Sequence, residues 1–140
     1  MTIELVPLAT IVVTLAEPMV LPDTPSGTRL IIEVTGVELT GERWRAHQKG
    51  AAAADWLILG PDGTGTLDVR ATVGTDDGAL IYAAYRGRVD LSAGPGEAPV
   101  YAAPLYETGD DRYRWLNKIQ ALAKGTVDGR TLTFEVYEAR

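Results

Sequence analysis

Five carboxylates stand where acid–base chemistry could use them: Asp55, Asp68, Asp76, Asp77 and Glu107. A carboxyl group in a dry pocket has its pKa raised toward neutrality, which suits a general acid or base. Asp68 and Glu107 are the two catalytic candidates. Asp68 is followed two residues on by Arg70, and the next turn brings Arg86 toward it. Such cations hold a carboxylate ionised, so Asp68 reads as a base or an ion-pair partner rather than a proton donor. Around it lie the ring of Trp56 and the phenol of Tyr82. Further on, Trp115-Leu116-Asn117 offers an indole wall and an amide able to orient a carbonyl or hydroxyl. The same group also reads as a core tryptophan and a turn-capping asparagine. Asp76 and Asp77 fall in a turn, where aspartate is expected on backbone grounds alone.

Other chemistries lack their parts. The 140 residues contain no cysteine, so thiolate metal sites, disulfides and cysteine nucleophiles are excluded. A lone His47 leaves no histidine cluster, and Ser26 and Ser92 are poor partners for a serine–histidine device because both sit in turn-forming stretches. Gly63-Thr64-Gly65-Thr66 lacks the lysine of a phosphate loop. No metal or organic cofactor is expected. Thirteen basic against nineteen acidic residues, a net charge of −6, disfavours nucleic acid and anionic membranes as partners. The longest apolar stretch, 5–16, contains Pro7 and falls well short of the ~20 residues of a spanning helix. With no basic residue before Arg29 to open a secretory signal, the expected location is the cytoplasm.

The elements that must position these residues read as strands. Segments 3–15, 29–39, 56–59, 64–73, 79–88, 100–107, 117–124 and 130–138 are rich in β-branched and aromatic residues. Gly36 interrupts the second and suggests a bulge. Pro61-Asp62-Gly63, Asp76-Asp77-Gly78 and Val127-Asp128-Gly129 are turn signals, and 94–99 is a loop. Helical pattern is confined to the alanines within 48–55 and a turn or two within 110–117. No repeat or linker divides residues 1–140, which form one domain.

Loop length sets which side chains share a face. A type I turn followed by a left-handed glycine makes both Pro61-Asp62-Gly63 and Asp76-Asp77-Gly78 three-residue loops. Trp56 then lies opposite Asp68, Arg70 opposite Ala84, Thr72 opposite Tyr82, and Asp68 opposite Arg86. Trp56, Asp68, Arg70, Tyr82 and Arg86 share one face, and Leu57, Leu59, Leu67, Val69, Val73, Ile81 and Tyr85 share the other. A two-residue turn at Asp77-Gly78 would remove Tyr82 and Arg86 from the polar set. That polar face is either the solvated side of a sheet or, with the sheet curled, the wall of an inner pocket.

Several of these stretches together resemble one family. They are Ala54-Asp55-Trp56, Pro61-Asp62-Gly63, Leu67-Asp68-Val69-Arg70, Thr75-Asp76-Asp77-Gly78-Ala79-Leu80-Ile81-Tyr82, Tyr106-Glu107-Thr108 and Tyr113-Arg114-Trp115-Leu116-Asn117. The opening Leu5-Val6-Pro7-Leu8, the stretch Pro25-Ser26-Gly27-Thr28-Arg29 and the closing Glu135-Val136-Tyr137-Glu138 extend the likeness along the chain. It is similar to the small bacterial and fungal proteins of domain-of-unknown-function family 3237. The resemblance implies a single antiparallel barrel that tends to self-associate, and it favours the polar face as lumenal. Lys49-Gly50-Ala51-Ala52-Ala53 and Tyr101-Ala102-Ala103-Pro104 depart from the family pattern, at the rim of any pocket and at an anion contact.

The expectation is an all-β protein: one antiparallel β-barrel of roughly eight to ten strands with at most one or two short helical turns. Its function is expected to be binding of a small molecule, with cofactor-independent proton transfer of lyase or isomerase type on a partly apolar carbonyl or hydroxyl compound. In that reading Asp68 and Glu107 are bases, and Trp56, Arg70, Tyr82, Arg86, Trp115 and Asn117 bind. The alternatives are a non-catalytic metabolite-binding barrel and a scaffold whose strand edges form a homodimer.

Overall fold

A computed structural model of the protein describes residues 1–140. Eleven strands follow one another: β1 Leu5–Leu15, β2 Met19–Thr24, β3 Gly27–Thr40, β4 Arg45–Gln48, β5 Ala54–Leu59, β6 Thr64–Thr75, β7 Leu80–Asp90, β8 Val100–Ala102, β9 Leu105–Glu107, β10 Ala121–Asp128 and β11 Thr131–Ala139. The one helical element is a 3₁₀ turn at Arg114–Lys118. Antiparallel pairing runs β1-β3-β5-β6-β7-β8-β10-β11 and back to β1, closing a barrel of eight strands. Closure removes the sheet edges that an open sheet of this size would expose. No helix is long and apolar enough to cross a membrane.

The three remaining strands extend this frame. β4 lies between β3 and β6 beyond the end of β5, and β9 pairs with β7 alongside the short β8. β2 pairs only with the first half of β3 and forms a free edge. The sequence pattern suggests neither β2 nor β4, and it reads β8 and β9 as one strand. Ala103-Pro104 divides them, since proline has no N–H for the ladder.

The turns set the register as their residues demand. The Gly60 and Thr75 N–H groups donate to Thr64 and Ala79 carbonyls, closing two three-residue loops. Gly63 and Gly78 supply the positive φ that each loop needs, +86° and +92°. The ladder accordingly places Asp68 opposite Arg86, Arg70 opposite Ala84 and Thr72 opposite Tyr82. The bulge near Gly36 is real: the β1–β3 register slips between Thr14 and Leu15, leaving Thr35 as the extra residue.

Inside the barrel, side chains of one parity meet. Val13, Val34, Leu39, Val69, Val73, Phe134 and Val136 belong to a single buried cluster, joined by Trp44 and Leu116 from beyond the strands. Eight strands enclose a space that side chains nearly fill, or that admits one small ligand.

Candidate functional site

The expectation that Trp56, Asp68, Arg70, Tyr82 and Arg86 face an enclosed hollow is corrected. Arg70, Tyr82 and Arg86 are exposed, and Trp56 and Asp68 are half-buried on the same outer face. The opposite parity, with Leu57, Leu67, Val69, Val73 and Ile81, is buried. The reason is volume and desolvation. The aliphatic set fills the narrow interior at no polar cost, whereas turning two arginines and an aspartate inward would strand charges in a dry space. Outside, Arg70 lies over the Trp56 ring at 4.9 Å, a cation–π contact that covers the indole.

The downstream candidates also lie outside the lumen. Glu107 is exposed on β9 opposite Tyr82. Asn117 donates to the Thr108 carbonyl at 2.9 Å and accepts the Thr108 N–H at 2.8 Å, so its amide clips the loop before the 3₁₀ turn. Trp115 packs on the edge of the core with the Arg43 guanidinium 3.6 Å above its ring. Two shallow outer grooves meet at Tyr82 and take in some of these candidates, while Asp68, Arg86 and Trp115 line neither. One is lined by Trp56, Arg70 and Met19, the other by Glu107, Asn117 and Leu80.

The hollow belongs to other residues. Under the loop at 94–99 a chamber of about 200 Å³ enters the barrel, its wall formed by Leu15, Leu30, Leu57, Leu67, Val89 and Leu132. Pro18, Pro95, Gly96 and Gly129, all exposed, ring its mouth. Among the lining residues only Asp55 and Arg130 carry charged or hydrogen-bonding side chains. A dry apolar cavity of roughly 150 Å³ is already enough to take benzene, so the chamber suits a small ring-sized molecule.

Asp55 enters the chamber because of its parity. It pairs with Ile32 on β3 and Val69 on β6, both on the inward row. It is 7% exposed. Burial pushes its carboxyl up to about 6, and the nearby charge of Asp68 adds to the rise. The hydrogen bond that Oδ1 accepts from the Asp68 N–H, 3.0 Å, acts in the opposite direction but is outweighed. A carboxyl poised there exchanges protons readily near neutral pH.

Deeper along the axis lies a second void of about 40 Å³, walled by aliphatic chains together with Phe134, Tyr85 and Tyr106. Tyr85 packs edge-to-face on Phe134, centroids 5.6 Å apart. Burial pushes both phenols far above their usual range, and the neighbouring Asp55 adds to the effect at Tyr85. Both therefore remain neutral donors across the physiological range. The Tyr106 hydroxyl is buried without a hydrogen-bond partner. Asp55 is among the carboxylates that the sequence marks for acid–base work, yet Asp68 outranks it there. Tyr85 has its core side of the sheet read correctly but no role.

The family model for DUF3237, proteins of unknown function, matches residues 3–139. The chain belongs to that family. Solved structures share its fold along nearly their whole length. A β-barrel-like protein from Acinetobacter baumannii AYE is 27% identical, with a TM-score of 0.87 over 100% of this chain and 98% of that one. A conserved protein of unknown function from Rhodopseudomonas palustris is 24% identical, with a TM-score of 0.90 over 100% and 99% of the two chains. An enzyme from Penicillium herquei is 21% identical, with a TM-score of 0.72 over 99% and 94%. Among curated proteins none is significantly similar.

Proposed function

We propose that this DUF3237 barrel binds a small, partly apolar carbonyl or hydroxyl compound in the chamber under the 94–99 loop and moves a proton on it with Asp55. The observation that carries the reading is Asp55 itself: the one carboxyl of the chamber, 7% exposed, among aliphatic side chains and held near pH 6. Burying it costs stability, and core packing alone is better served by an aliphatic residue. Strained or unfavourable groups of this kind concentrate where a protein does chemistry. Asp55 accepts a proton as carboxylate and returns it as acid, with no electron transfer required. The Penicillium herquei relative is an enzyme, but at 21% identity that likeness concerns the fold. The reading rests on the chamber.

Two measurements test it. Ethylbenzene, as a neutral probe of ring size, is expected to bind saturably in ligand-observed NMR. Ala98→Trp, placed among the chamber-lining residues, is expected to abolish that binding while the far-ultraviolet spectrum of the barrel persists. Carboxyl carbon shifts are expected to show Asp55 titrating near 6. Absence of binding to the native protein, or an Asp55 midpoint in the ordinary carboxylate range, would refute the proposal.

A second reading, self-association, has its own support. β2 is a sheet edge with no outer partner, and its Met19, Val20 and Leu21 are 48%, 57% and 42% exposed. An apolar, unpaired edge of this kind invites another strand. It adjoins the outer groove of Trp56, Arg70 and Tyr82, so a second copy of the chain would cover the residues that the sequence singles out. Light scattering is expected to give a dimer for the native chain and a monomer for Val20→Lys. A monomer at all concentrations for the native chain would end this reading.

A further inference from the structure

The barrel interior holds more polar chemistry than one carboxyl group. Asp55, Val69 and Tyr85 face one another across β5, β6 and β7 in a single ladder row, all of inward parity. Two strand spacings separate the Asp55 and Tyr85 backbones, about 10 Å. Both side chains enter the same interior from that span, and the charge of Asp55 is felt at the Tyr85 phenol. Tyr85 and Tyr106 both line the deep void, and the Tyr106 hydroxyl has no acceptor within the protein. A buried phenol without an acceptor is costly, and native interiors rarely leave one so unless a ligand or water completes it. The void, about 40 Å³, has room for one polar group and no more than that.

We propose that the substrate is a carbonyl compound with an acidic C–H beside the carbonyl, whose oxygen is held by the Tyr85 hydroxyl while Asp55 takes the proton from carbon. This deepens the proposed function and rests on it. The apolar body lies in the outer chamber and the carbonyl points toward the deep void, where Tyr106 stands as the second donor. Asp55 carboxylate removes the proton. The C–H pair becomes the carbon–carbon double bond, and the carbonyl π pair moves onto oxygen. The resulting enolate accepts a hydrogen bond from Tyr85, a neutral donor in a space lined almost wholly by apolar side chains. Where a carbon–carbon double bond lies β,γ to the carbonyl, the enolate is conjugated through it, and Asp55, now protonated, returns the same proton to the γ carbon. The double bond moves into conjugation with the carbonyl, and the pair of steps is an isomerisation with no co-reactant. A phenol is a better partner here than a cation: it strengthens its bond as charge develops and adds none to the empty site.

Acetophenone and ethylbenzene separate the parts of this inference, because they share a shape and differ in the acceptor oxygen. Tyr85→Phe keeps the ring that packs on Phe134, so the barrel stays intact. In that variant acetophenone is expected to bind about tenfold more weakly, the worth of one buried hydrogen bond, while ethylbenzene is unaffected. The carbonyl stretch of bound acetophenone is expected below its frequency in hexane for the native protein, and close to it for Tyr85→Phe. If acetophenone binds the native protein but neither its affinity nor its carbonyl frequency responds to Tyr85→Phe, the role given to Tyr85 is overturned and the chamber reading stands. If neither compound binds the native protein, the chamber reading falls and this inference with it.

Discussion

Asp55→Asn is expected to make the protein more stable at pH 8, by about 2 kcal/mol, and less stable at pH 3, by about 1 kcal/mol. The sign follows from where the proton resides. The carboxyl group titrates near its usual 3.8 in the unfolded chain and at about 6 in the barrel. Below both values the group is neutral in either state and contributes no penalty. As pH rises through 4 the unfolded chain releases its proton first, so the native state binds more protons and stability falls with pH. Above 6 both states are ionised and the penalty is complete, about 3 kcal/mol for a gap of this size. Asparagine keeps an oxygen to accept the Asp68 N–H and carries no charge. Its amide hydrogens face an aliphatic wall, which returns roughly 1 kcal/mol of the gain. Urea denaturation of the two proteins at pH 3 and pH 8 measures the difference directly. A variant less stable than the native protein at pH 8 would show that the buried carboxylate is not penalised. The expected combination, a more stable protein that has lost its proton acceptor, is the trade commonly found at active sites.

How far the sequence leads to this site depends on the kind of information involved. Turn chemistry is local, and Pro61-Asp62-Gly63 and Asp76-Asp77-Gly78 therefore place Asp68 against Arg86 and Tyr82 against Thr72 correctly. Alternation sorts the side chains into two faces, but it cannot say which face a closing sheet turns inward. That choice is made by the whole barrel, whose narrow interior accepts Val69, Val73 and Ile81 and leaves Arg70 and Arg86 outside. The site was nevertheless marked in the pattern: Asp55 has the parity of Leu57 and Leu59 and is the lone carboxylate in that row. Charged neighbours draw attention to Asp68, while the informative feature of Asp55 is that it has none on its own face. β4 is harder to see, since Arg45-Ala46-His47-Gln48 contains no β-branched residue. It is a strand because β3 and β6 both offer it hydrogen bonds past the end of β5. β2 is hidden because it follows Pro18 and contains Pro22, so its hydrophobic content competes with turn signals.

Phe134→Ala is expected to cost about 4 kcal/mol. Phe134 is 3% exposed, walls the deep void and carries the edge-to-face contact with Tyr85. It also covers a glycine. Gly125 lies opposite Phe134 in the β10–β11 ladder, and a Cβ placed there would come within 2.7 Å of the ring. The ring occupies the space that a side chain at 125 would take, as aromatics do over glycines in designed sheets. Gly125→Ala alone must therefore push a packed aromatic ring aside, and its expected cost is about 2 kcal/mol. With Phe134→Ala already present the ring is gone. The remaining close neighbour is Leu132 Cδ1 at 2.9 Å, the end of a flexible chain that can turn into the enlarged void. In that background Gly125→Ala is expected to be neutral or stabilising, which makes the double-mutant cycle strongly non-additive, by about 2 kcal/mol. Additive costs in urea denaturation would mean that the glycine and the ring do not share one space. The cycle also bears on function, because the same ring fixes Tyr85. If Phe134→Ala frees the Tyr85 phenol, the tenfold preference assigned to its hydrogen bond with acetophenone is expected to shrink in proportion, although the enlarged void admits the probe more easily.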